Sequence, residues 1–124
     1  MLISAYQKGW ALRYLREAKA ELTAAKKSPY MAPSLLLEAM RKAQIAIYYS
    51  LGEPAFVEGI VYETIRKKRF VEEPILRCLV EIELSMQQLM QSSEANQEKT
   101  MEQVTEIIQL ASEIVELFTN ETVD

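Results

Sequence analysis

Apolar residues recur along this chain at alternating intervals of three and four. That interval restricts it to helices, because a turn of about 3.6 residues brings such positions onto one face. Ala11, Leu15, Ala18, Leu22 and Ala25 set the pattern, which predicts a first helix from about Ile3 to Lys27. Ser28-Pro29 stops it. Residues preceding prolines are pushed toward extended backbone, so Tyr30 to Pro33 is expected to be a tight connection. A second helix is predicted from Ser34 to Leu51, burying Leu36, Met40, Ala43 and Ile47, with Glu38 and Lys42 as a surface pair one turn apart. Gly52 ends it, and Glu53-Pro54 opens a third helix to about Phe70 that buries Val57, Val61 and Ile65. Gly59 inside that helix costs about 1 kcal/mol against alanine, which close approach of a neighbouring helix would explain. Glu73-Pro74 repeats the start signal for a fourth helix to about Gln91, with Leu79, Ile82, Met86 and Leu89 inward. The polar stretch Ser92 to Lys99 reads as a turn or frayed end, and Thr100 with Gln103 as a capping box. A last helix follows, its buried stripe running through Met101, Val104, Ile108, Ala111, Val115 and Phe118. No strand-like alternation or internal repeat competes with these segments. The expected architecture is all-α, an up-and-down bundle of about five helices forming a single domain over residues 1–124.

Composition narrows the chemistry. The 124 residues contain no histidine and one cysteine. Serine–histidine and cysteine–histidine nucleophile pairs are thereby excluded, as are imidazole zinc sites and the Glu-x-x-His halves of bundle di-iron centres. A glycine-rich phosphate loop is absent, no cofactor or metal is implied, and an enzyme built here would have to use carboxylates, Lys, Arg, Tyr or Ser. Cys78 lies in the apolar run Ile75 to Val80 and is expected to be a buried structural thiol. No apolar stretch is long enough to suggest a membrane span and no signal-peptide order opens the chain, so the expected setting is the cytoplasm. Charge is split: residues 1–69 carry twelve basic and six acidic side chains, whereas residues 94–124 carry eight acidic and one basic. Such a chain can bring its ends together or present two differently charged surfaces.

Four features are candidates for function. Arg66, Lys67, Lys68 and Arg69 form a basic run at the end of the third helix, which either complements the helix dipole or contacts the phosphates of a nucleic acid. Tyr6, Trp10 and Tyr14 recur every four residues on the first helix, beside Lys8, Arg13 and Arg16; they are expected to be core or subunit interface, base stacking being the other use of such a stripe. Tyr48 and Tyr49 point about 100° apart, which turns one inward and the other toward a surface. Glu98, Glu102, Glu106, Gln109, Glu113 and Glu116 form a polar stripe on the last helix, a solvated face or one that meets a basic partner.

The run from Ala11 to Lys27, with its Arg16-Glu17-Ala18 step before a small-residue stripe, resembles the first helix of HEPN-type proteins. Leu36 to Ile47 is similar to that family's second helix, with alanines at close-packing positions. The resemblance covers about the first fifty residues. It implies a small helical bundle, commonly dimeric, of a kind that includes RNases and partners of minimal nucleotidyltransferases. The family's RNase motif places four to six residues between an arginine and a histidine. Arg77 stands for that arginine by position alone, and Ile82, Glu83 and Leu84 occupy the places of the histidine, so no catalytic residue is carried over. The expected function is a non-catalytic binding or scaffolding protein that forms a homodimer and is either a partner of another protein, such as a nucleotidyltransferase, or an RNA-associated adaptor. The alternative is a histidine-independent RNase or nucleotide-handling enzyme using Arg66, Lys68 or Arg77 with a carboxylate.

Overall fold

The computed structural model describes residues 3–91 and 97–123. It contains five helices and, among the described residues, no strand: α1 (Ala5–Lys27), α2 (Ala32–Leu51), α3 (Pro54–Arg66), α4 (Pro74–Gln91) and α5 (Gln97–Thr119). The first is started by Ser4, whose hydroxyl accepts from the Gln7 backbone N–H at 3.1 Å while the Gln7 side chain takes the Ser4 N–H at 3.1 Å. This reciprocal cap fixes the helix two residues later than the apolar pattern alone places it.

The α1 stripe Ala11, Leu15, Ala18, Leu22 and Ala25 is buried as predicted. It lies against α2, whose Ala32, Ala39, Ala43 and Ala46 are likewise buried. Methyl side chains on both faces let the two backbones approach closely, and larger Leu15, Leu36, Met40 and Ile47 fill the space between them. Tyr14 meets Tyr49 near one end of this pair and Glu21 meets Lys42 further along, so the contacts run in opposite order and the helices are antiparallel. Lys42 reaches across to Glu17 at 3.0 Å and Glu21 at 2.6 Å, rather than along its own helix to Glu38 as the sequence suggested. These contacts raise the Lys42 pKa and lower that of Glu17.

α2 is the central element and packs against all four others. α5 lies antiparallel to α1: Gln97 at its start donates to the Pro29 carbonyl, and Glu121 beyond its end pairs with Lys8 at 2.7 Å. The tail then folds back so that Val123 is buried and its carbonyl accepts from Lys19. α3 is short and packs chiefly on α2 and α4.

Four local expectations need correction. α2 begins at Ala32, with Pro33 inside its first turn, because proline lacks only an N–H that has no helical partner there. α3 ends at Arg66 rather than near Phe70, since Lys68 adopts a left-handed φ of 51°. α5 begins at Gln97, so Thr100 is a buried helical residue and not a cap; Ser92 to Asn96 of the expected turn lie outside the described residues. Gly59 is exposed, and an added Cβ there would meet nothing within 4 Å, so no neighbouring helix of the same chain explains it.

Candidate interaction surface

α3 is apolar on more than one side. Val57, Val61 and Ile65 face the core, although only Val61 is fully buried. Phe56 and Ile60, one turn apart, point outward and are 58% and 44% exposed. They form a ridge whose Ile60 end stands between two hollows. One, of about 420 Å³, continues past Gly59 toward Glu63, Thr64, Lys67 and Arg69. The other, of about 410 Å³, is floored by Leu51, Val57, Ile75, Leu76, Leu79 and Phe118. Ile60 borders both.

The four residues of the basic run divide into two pairs. Glu63 takes Arg66 through a two-pronged contact, 2.6 Å from Nη2 and 3.2 Å from Nε, and also holds Lys67 Nζ at 3.0 Å. The hydrogen bonds from these two cations bring the Glu63 pKa down to about 2. Arg66 therefore completes the end of the helix in the way the dipole argument describes. Lys68 and Arg69 lie past the helix end, exposed, and make no ion pair among the described residues; the Arg69 N–H turns back onto the Thr64 carbonyl at 3.3 Å.

The aromatic stripe of α1 is largely occupied within the chain. Tyr49 stacks on Tyr14 with ring centres 5.9 Å apart and planes 13° from parallel, and lies 6.3 Å from Trp10. Arg13 sits 5.0 Å over the Trp10 ring. Trp10 and Tyr14 are half-buried, while Tyr6, edge-on to Trp10, remains 67% exposed. The two adjacent tyrosines do diverge: Tyr48 is 1% exposed and Tyr49 joins this stack. The glutamates of the α5 stripe, with Gln109, are all exposed.

One polar cluster escaped the sequence reading. Glu83 is buried on α4, where Gln44 of α2 donates to one carboxylate oxygen at 2.8 Å and Gln87 to the other at 3.0 Å. No cation pairs with it among the described residues. Tyr48, one turn beyond Gln44, has a buried hydroxyl with no hydrogen-bond partner among the described residues, and burial followed by the Glu83 charge raises its pKa. The signal was readable in principle: Glu83 falls between Leu79 and Met86 at intervals of four and three, on the inward stripe. Arg77, by contrast, is exposed, with no side-chain ion pair among the described residues. Cys78 is buried as expected, and burial pushes its thiol up to about 11. Among the described residues no three acidic or sulfur side chains converge to hold a metal ion, and no helix is long and apolar enough to cross a membrane.

Compared with protein-family models, with curated proteins and with solved structures, the chain finds no match.

Proposed function

We propose that this chain is a non-catalytic helical binding module of HEPN-like character that self-associates, and that it serves as a scaffold for a protein partner such as a nucleotidyltransferase or for an RNA-associated assembly. The observation that carries this reading is the uncovered face of α3. A helix of thirteen residues that buries only one of them fully, while holding Phe56 and Ile60 in solvent, lacks a neighbour on that side. Contiguous exposed apolar surface of this kind marks an interface. The chemistry of the side chains supports the non-catalytic part. Histidine, whose ordinary pKa lies nearest neutrality, is absent from the chain, and Glu63, the carboxylate beside the basic run, is held at about 2 by Arg66 and Lys67, which makes it a weak base.

Sedimentation velocity at tens of micromolar tests the self-association. A species heavier than the 14.2 kDa chain is expected, and a strictly monomeric one overturns the reading.

A further inference from the structure

We propose that self-association runs through α3 itself, packed antiparallel on α3 of a second copy about a two-fold axis near Ile60; this rests on the self-association just argued and names its surface. Three observations converge. The first is shape. Phe56 and Ile60 form a ridge of the i, i+4 kind, with one hollow bordered by both and a second bordered by Ile60, and a ridge beside a groove is self-complementary under a two-fold rotation. Each copy's ridge then enters the other's hollow.

The second is charge. Glu53 precedes α3, whereas Lys67, Lys68 and Arg69 follow its end. Among the described residues Glu53, Lys68 and Arg69 make no ion pair within the chain. With the axis at Ile60, antiparallel pairing sets Glu53 of each copy opposite the Lys67 to Arg69 segment of the other. Parallel pairing would set like charges and like helix ends together, which is unfavourable.

The third is the open space at Gly59. It borders the outer hollow next to Ile60, and among the described residues no atom beyond its own stretch of helix lies within 4 Å of where a Cβ would sit. Two helices crossing there meet no side chain at that position, so their axes can come close. This also gives the glycine a reason that packing within one chain does not supply. The contact involves one short helix per copy, so association is expected to be weak, in the micromolar range rather than the nanomolar one.

The test is disulfide trapping under mild oxidation, with the native protein as the control for buried Cys78. Ile60→Cys places a thiol at the axis facing its own copy, and a covalent dimer is expected in high yield; Tyr6→Cys, on the exposed end of the aromatic stripe, is expected to stay monomeric. Sedimentation of Glu53→Lys at low salt should show association weakened several-fold, and adding Lys68→Glu should restore it. Trapping by Tyr6→Cys alone would overturn the α3 surface while leaving self-association in place. A monomeric native protein would overturn both readings. Trapping by Ile60→Cys without rescue by the paired charge reversal would overturn the antiparallel arrangement. Circular dichroism of each variant confirms that it is folded before its result is read.

Discussion

Glu83 shows what a single side chain can do to a helical core. A carboxylate at an inward position is tolerated because two carboxamides donate to it, one from another helix. Gln44→Leu removes the cross-helix donor and leaves a buried acceptor underserved, a loss of about 1–3 kcal/mol in urea unfolding. Adding Glu83→Met should recover most of that loss, because an apolar pair of similar size has no polar group left to satisfy. Failure of the second substitution to recover stability would mean that Glu83 has a further role. Cys78 and Tyr48 make a second residue-scale case. Both are buried neutral groups whose pKa is raised in the folded chain, Cys78 from 9.0 to about 11. The Cys78 contribution is whole below pH 9 and declines as the pH rises through 11, and that of Tyr48 declines above its ordinary value of 10, because the unfolded chain ionises first. For Cys78 this is on the order of 2 kcal/mol. Urea titrations between pH 8 and pH 11 should show stability falling, and a flat profile would contradict the burial of these groups. Of these residues, Cys78 was legible from its apolar neighbours and Glu83 from its register, once an inward polar residue was allowed. The Lys42 contacts with Glu17 and Glu21 were not, since they depend on how α1 and α2 are set against each other.

The helices were legible because each carries its own apolar period, and α1 and α2 bury the residues that period selects. Ends were harder to read. The Ser4 and Gln7 cap was present in the sequence as a Ser-x-x-Gln pattern, whereas nothing about a lysine announces the left-handed backbone at Lys68 that stops α3. The sequence also pointed to the Tyr6, Trp10 and Tyr14 stripe of α1 as core or subunit interface. Tyr49 covers part of that stripe, a tertiary contact that no local pattern encodes, and α3 is left with an open face of its own at Phe56 and Ile60. Gly59 belongs to this scale. Alanine fits there without a clash inside the chain and removes a helix-weakening residue, so Gly59→Ala should raise the stability of the monomer by about 1 kcal/mol in thermal unfolding at low concentration. A loss of stability would show that the open space at Gly59 is filled in the monomer.

For the whole molecule, the charge split seen in the sequence is partly drawn together. Lys8 pairs with Glu121, and Lys19 holds the tail carbonyl of Val123, so basic α1 and the acidic C-terminal segment close on each other. The glutamates of α5 stay exposed on the outside of the bundle. A non-catalytic module with this build should leave a mixed RNA pool intact, with or without a chelator, at rates no higher than buffer. Cleavage lost in Arg77→Ala would restore the enzymatic alternative. The central claim is that α3 carries the interface, and a sedimentation series from one to one hundred micromolar on the native chain and on Ile60→Glu, on the order of the weak affinities expected for so small a contact, tests it most directly. The account predicts a concentration-dependent dimer for the native chain and a monomer of unchanged helix content for Ile60→Glu; a native monomer, or a dimer that survives Ile60→Glu, would contradict it.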